Sequence, residues 1–420
     1  MRNIFDHYSQ AENQLTHSLF TALDNDRKLL ASFVKDICGS NHSKPDKLHM
    51  SVQRYPFSNH YDETEVEDRN IPDAWIFDDD GFAIVFEAKI TATLTQTQLA
   101  GHQRVAAKQG FDDVHFFTIV ADRDTKIFDG WTELQWSSIY LWLRGKAEAS
   151  KWAAHAAEYF EILEARMLEQ GKLGNAEITA FDGFSPHPEG FSYLVAKSEL
   201  RKAMRELRKD NNLVDMLGMD PSNEGRGAIT GKSEQRVWDF LAVDSGFEAS
   251  NFTSFLHLTL GLHFDSVEAM VTVPNSLATK PKNALKALGL EGFRTTCSAI
   301  LENLKPLIDD EPNAIPTMRS VQRRYPSQRS VPFLDAELEF DLRTAFNTDH
   351  PVKYQPQWFD ALYDVFANKR SNYQFQIGVV FPHGSCVSMR SSESLKLLAR
   401  SWIACEPLIS AARYAKRASA

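Results

Sequence analysis

The chain has 420 residues, 43% of them hydrophobic and 24% charged, and a formal net charge of −10. This length accommodates two domains with separate cores. The acidity excludes a global positive field that would draw the protein to nucleic acid or anionic lipid, so any polyanion site must be a local patch. Cys38, Cys297, Cys386 and Cys405 show no short spacing, which excludes a CxxC zinc or redox motif and points to buried free thiols in a reducing cytoplasm. The opening MRNIFDHYSQAENQ is too polar for a secretory leader. No apolar stretch reaches the roughly 18 residues of a membrane helix, so the expectation is a cytoplasmic protein with no membrane partner.

Leu15, Leu19, Phe20 and Leu23 recur at helical spacing over residues 10–23, a stretch that also carries Glu12. LHMSVQRY (48–55) predicts a short strand, and DETEVED (62–68) a solvated acidic loop. The next stretch reads as a hairpin: strand 71–77, turn DDDG (78–81), strand 82–90. Its Asp-Gly pair is the strongest local signal. A helix over 94–109 ending at Gly110, a buried strand over 114–122, tryptophan-rich helical segments over 131–144 and a long helix over 147–170 follow. This order predicts an α/β unit, a mixed sheet covered by helices on both faces.

Gly, Pro and polar residues over 171–190 mark a domain boundary. The expected organisation is a first domain over 1–172, a linker with a basic helix over 173–232, and a second α/β or α+β domain over 233–420. In that second domain 257–264 and 267–274 form a hairpin joined at Asp265-Ser266. Residues 281–308 and 393–416 are helical, and 333–342 and 374–381 are strands.

The hairpin carries charge where a strand should not. Asp73 opens its first strand, and Glu87 and Lys89 interrupt the second between Phe86, Ala88 and Ile90. Burying one unpaired charge costs several kcal/mol, so three need a reason. Side chains alternate faces along a strand, so Glu87 and Lys89 share a face while Phe86, Ala88 and Ile90 turn to the core. Antiparallel pairing can bring Asp73 beside them. Two carboxylates and an ammonium at one sheet edge suit Mg²⁺ and metal-dependent phosphodiester hydrolysis.

Pro72-Asp73, thirteen intervening residues, then Glu87-Ala88-Lys89 resembles the PD-(D/E)XK nuclease superfamily. The resemblance covers the first domain and implies a restriction-endonuclease-like mixed sheet flanked by helices. It implies that Asp73, Glu87 and the Ala88 carbonyl ligate Mg²⁺, with Mn²⁺ able to substitute, and that Lys89 serves the attacking water. Glu12 supplies the acid that several members place on the first helix. Repair members carry Gln-x-x-x-Tyr on the helix after the lysine strand. Here Gln98 and His102 occupy those places, histidine standing for tyrosine, and the implied role is contact with the substrate strand. The implied activity is that of a deoxyribonuclease, an endonuclease above all, acting on double-stranded DNA in defence against foreign DNA or in DNA processing.

Two basic segments offer phosphate contacts. Lys197, Arg201, Arg205, Arg208 and Lys209 align along one side of a helix over 196–210, which reads equally well as a solvated face paired with Glu199 and Glu206. RSVQRRYPSQR (319–329) interleaves Arg319, Arg323, Arg324 and Arg329 with Tyr325, and reads equally well as a loop of surface arginines. GRGAITGKS (225–233) fails the Walker pattern, because Arg226 stands where glycine is needed, and reads as a loop starting a helix at Ser233. His383 and Cys386 in FPHGSC could suggest a thiol nucleophile, but nothing in the sequence indicates an orienting group or oxyanion hole, and the segment reads as a turn. No HExxH spacing points to zinc. The alternatives to a nuclease are a nucleic-acid-binding module that does not cut, and a regulatory scaffold acting through residues 233–420. That region would serve recognition, regulation or assembly, as a homodimer or with a partner protein.

Overall fold

The computed structural model describes residues 5–6, 8–42, 44–57, 71–121, 128–174, 176–184, 190–226, 235–243, 254–324, 326, 333–343, 356–368 and 373–413. The DETEVED loop, Tyr325, Arg329 and Ser233 lie outside them. The chain divides into two compact units, 1–180 and 181–420.

In the first unit, helix α1 (Ala11–Asn25) buries Leu15, Leu19, Phe20 and Leu23 as their spacing predicts. A second helix, α2 (Arg27–Asp36), follows at once. Asp26 caps it, accepting the N–H groups of Lys28 and Leu29 at 3.1 Å. Strand β1 (His49–Val52) pairs antiparallel with β2 (Ala74–Phe77), and β2 pairs antiparallel with β3 (Phe82–Lys89). At the turn between them Gly81 adopts φ 98°, open to glycine without strain, while Asp78 Oδ1 takes the N–H groups of Asp80 and Phe82 at 2.9 Å. Helix α3 (Gln96–Lys108) then carries the chain to β4 (Asp113–Val120), which runs parallel to β3. A short strand, β5 (Thr132–Gln135), lies parallel to β4, so the sheet order is β1-β2-β3-β4-β5.

Residues 132–135 are thus a strand, not part of a helical run. TELQ has too few apolar residues to betray an edge strand, and the helix α4 (Trp136–Lys146) begins at the second tryptophan. Helix α5 (Lys151–Glu169) begins later than expected because Ser150 caps it, accepting the N–H of Ala153 at 3.2 Å.

The period-two pattern splits the hairpin between two cores. Ala74, Ile76, Ile84, Phe86 and Ala88 pack with residues of α1, α2, α4 and α5. Trp75, Phe77, Ala83 and Val85 pack with Leu99, Val105 and Ala106 of α3. Helices therefore cover both faces of a mixed sheet.

The second unit begins with α6 (Tyr193–Leu207) and α7 (Asn211–Leu217), within the stretch expected to be a linker. Ala196, Leu200, Ala203, Met204, Leu207, Leu213 and Leu217 are buried in its core, so these helices belong to the domain rather than connect two domains. Strand β6 (Arg236–Ala242) occupies the place where a helix from Ser233 was expected. Hairpin strands β7 (His257–His263) and β8 (Ser266–Val273) follow, then α8 (Thr279–Ala287) and α9 (Gly289–Asp310) where one helix was expected. Strands β9 (Ile315–Arg324) and β10 (Phe333–Asp341), helix α10 (Pro356–Asn368), strand β11 (Tyr373–Pro382), and helices α11 (Ser394–Ala404) and α12 (Glu406–Arg413) complete the unit. The sheet order is β10-β9-β11-β8-β7-β6, antiparallel throughout. One face carries Leu258, Leu260, Val271, Ile377 and Val379 into the helical core, an α+β arrangement. The other carries the buried Thr272 and Gln376 and the half-buried Glu268 and Arg319. No described helix is long and apolar enough to cross a membrane.

Candidate active site

Asp73 immediately precedes β2, one step beyond the pair Ala74–Phe86, so the antiparallel register sets it opposite Glu87. Both residues turn to the sheet face covered by α3. Asp73 is 9% exposed and Glu87 2%. Asp73 Oδ2 accepts the N–H of Ala88 at 2.7 Å, and Oδ1 accepts the side-chain amide of Gln53 at 2.6 Å. Burial and the nearby charge of Glu87 push its carboxyl up to about 6, although Lys89 and these two donors act the other way.

Glu87 is held on every side. Lys89 Nζ and Gln98 Nε2 each donate to Oε1 at 2.6 Å, and His102 Nε2 lies 3.0 Å from Oε2. Burial opposes ionisation here, but His102 and Lys89 outweigh it and hold the carboxyl below its usual range. Lys89 also donates to the Ala88 carbonyl at 3.1 Å. Burial would strip its proton, yet Glu87 and Asp73 hold the ammonium above its ordinary value. Glu12, on α1, accepts the N–H of Ile90 at 3.0 Å and adds to the negative field on Lys89.

The structure thus brings Asp73, Glu87, Ala88, Lys89, Gln98 and His102 together, with Glu12 at the adjoining end of β3. Among the described residues no three His, Cys, Asp or Glu side chains form a ready metal centre. The donor chemistry still fits a hard cation. A carboxylate offers about four lone-pair sites. The hydrogen bonds above use two of those on Asp73 and two on Glu87, and the repulsion between the pair is what a divalent cation offsets.

His102 requires a correction. It is 1% exposed and is not presented at the surface where the resemblance implies contact with a substrate strand. It stands behind Glu87, and Gln98 turns its amide to the same carboxylate. Gln53 is a site residue that the sequence reading omits. It hydrogen-bonds Asp73 from 20 positions upstream and gives the same amide to Asn13 Oδ1 at 3.3 Å.

The basic helix is not a uniform stripe. Arg201 is exposed, and Lys197 and Arg205 are half-buried. Burial, then the charge of Arg201, lower the Lys197 ammonium. Arg208 is engaged internally, its Nε donating to Asn223 O at 2.8 Å and Nη2 lying 3.8 Å from Asp239. Lys209 pairs with Glu206 at 2.7 Å. The second basic segment is a strand rather than a loop, because 319–324 lie within β9. Arg319 is half-buried, its Nη1 and Nη2 donating to the two oxygens of Glu268 at 3.0 and 2.7 Å. Arg323 is half-buried, and the exposed Arg324 lies 3.6 Å from Asp335. Cys386 is buried, and desolvation pushes its thiol up to about 12, which leaves the FPHGSC turn without a nucleophile.

No protein-family model matches the chain, and no curated protein matches it.

Proposed function

We propose that the first unit is a metal-dependent nuclease that hydrolyses phosphodiester bonds, with DNA as its substrate. The observation that carries this reading is the opposition of Asp73 and Glu87 on one buried face, with Lys89 Nζ bonded to Glu87 and to the Ala88 carbonyl at the same edge. What supports a restriction-endonuclease-like fold is the β2–β3 hairpin followed by the parallel step through α3 to β4 within a mixed, helix-covered sheet.

Asp73, Glu87 and the Ala88 carbonyl would hold Mg²⁺ or Mn²⁺, and Glu12, bonded to the Ile90 N–H, would add negative charge nearby. Such a cation lowers the pKa of a bound water and neutralises charge on a phosphoryl oxygen. Lys89 keeps its proton because the two carboxylates outweigh its burial, so Nζ acts as a donor to the developing charge rather than as a base. Gln53 and Gln98 orient one carboxylate each, and His102 flanks the second. The α3 face excludes bulk water from Glu87, which strengthens these contacts.

One observation favours a second reading. Glu87 is already satisfied by Lys89, Gln98 and His102, as it would be in a unit that binds nucleic acid without cutting it. Incubating the purified protein with duplex and single-stranded DNA and RNA, in Mg²⁺, Mn²⁺ or EDTA, separates the two. The nuclease gives metal-dependent fragments, and the binding module gives retained complexes with intact strands.

A further inference from the structure

The first unit contains a cavity past the end of β3, between α1 and α5, for which hydrolysis at Asp73 and Glu87 has no use. Its volume is about 550 Å³, within the range of about 300–1,000 Å³ of small-molecule sites. Ile90, Leu163 and Met167 are buried and give it an apolar floor. Its rim is polar, with the amides of Gln14 and Gln170 and two cations, Arg166 and the exposed Lys172. Arg166 spends one donor, Nη1, on Asp6 at 2.7 Å, a bond that fixes the guanidinium at the cavity wall. Glu12 forms part of the lining, and Ile90 directly follows Lys89. The cavity therefore lies at the end of β3 on the sheet face covered by α1 and α5, and Glu12, whose charge also acts on Lys89, is the residue it shares with the carboxylate site.

A greasy floor under a cationic, amide-bearing rim matches the two-part chemistry of a nucleotide. The flat base buries its faces against aliphatic and thioether side chains. The sugar-phosphate faces Lys172 and Arg166, as nucleic-acid backbones commonly face lysine and arginine. A bare anion would leave the floor unused, and an alkyl chain would leave the rim unused. Resting on the nuclease reading, we propose that this cavity takes one unpaired nucleotide of the substrate strand, adjacent to the phosphodiester at Asp73 and Glu87.

A stacked base pair cannot enter such a cavity. The nucleotide must leave the stack, which costs a few kcal/mol in a duplex and least where the base is already single-stranded. The protein therefore selects single strands, frayed ends and bubbles over perfect duplex.

The test titrates the protein in EDTA with dAMP and dTMP, with deoxyribose 5-phosphate and inorganic phosphate as controls. Thr91→Trp fills the cavity mouth from an exposed position, and Lys172→Glu reverses the rim charge. The expected result is nucleotide binding at least about tenfold tighter than that of deoxyribose 5-phosphate, and about tenfold weaker in either variant. Thermal melting should be unchanged in both variants. In Mg²⁺, wild type should cut a bubbled duplex faster than a perfect one, and Thr91→Trp should lose that preference. Equal affinity for nucleotide and deoxyribose 5-phosphate, or unaltered binding in Thr91→Trp, overturns the proposal. Nucleotide binding without cleavage of any strand removes the nuclease reading and leaves the cavity's. Cleavage at equal rates on both duplexes, with no nucleotide binding, does the reverse.

Discussion

Gln53 holds Asp73 at two points: its backbone N–H donates to the Asp73 carbonyl oxygen at 3.0 Å, and its side-chain amide to Oδ1 at 2.6 Å. The residue sits at φ 55°, where a side chain is strained and glycine is not. Gln53→Gly therefore deletes the amide without adding backbone strain. Loss of an outer-shell partner of a metal ligand costs about 10–100-fold in metal affinity or activity. The Mg²⁺ concentration giving half-maximal cleavage should rise by that order in Gln53→Gly. An unchanged metal dependence would show that Asp73 needs no such support.

Asp73 makes the metal-free protein sensitive to pH. Burial and Glu87 raise its pKa from 3.8 to about 6. The unfolded chain releases this proton near the lower value and the folded chain near the higher one. Stability therefore falls as pH rises between them, by up to about 3 kcal/mol. Asp73→Asn removes that loss. In EDTA it should melt several degrees above wild type at about pH 7.5, and the two should converge near pH 4. Coincident melting curves at the higher pH would contradict the assigned repulsion.

Much of this site is legible in the sequence, because a β-hairpin is local. The Asp-Gly turn fixes the pairing, and alternation then places Asp73, Glu87 and Lys89 on one face. Gln53 is not legible, since its reach depends on β1 pairing with β2 across an intervening segment in which the sequence carries no register signal. The direction of His102 depends on which sheet face α3 covers. Periodicity gives α3 its apolar side but does not say which strand residue lies beneath. Helix α2 was within reach, because Asp26 followed by Leu29, Leu30, Phe33 and Val34 is a capped amphipathic pattern. Arg319 reads as a surface arginine because its partner, Glu268, lies 51 residues away on a strand reached only through β11.

The placement of His102 and Gln98 behind Glu87 separates orientation from substrate contact. His102→Ala and Gln98→Ala should lower the cleavage rate and metal affinity about tenfold or more. Nucleic-acid affinity in EDTA should remain within about twofold of wild type, a difference under 1 kcal/mol. Loss of strand binding with an intact metal dependence would return both residues to the substrate interface.

In the second unit Glu268 and Arg319, each with its side chain 12% exposed, form a two-point ion pair, and Arg319 also donates Nε to Gln376 Oε1 at 2.9 Å. Burial opposes the Glu268 charge, but His263 and Arg319 hold its carboxyl well below the usual range. Removing one partner strands the other charge, at about 3–5 kcal/mol. Glu268→Gln should lower the denaturation midpoint of this unit, and Glu268→Leu combined with Arg319→Met should recover much of it. Equal loss in the single and double variants would mean that the pair is not coupled.

Whether Asp73, Glu87 and Lys89 form a cutting site is decided by Glu87→Ala. Wild type and variant are incubated with labelled single-stranded and bubbled DNA in Mg²⁺, with EDTA as the blank and circular dichroism as the check on folding. The expected result is metal-dependent fragments from wild type and none from the folded variant. Metal-dependent cleavage that survives in Glu87→Ala would contradict it.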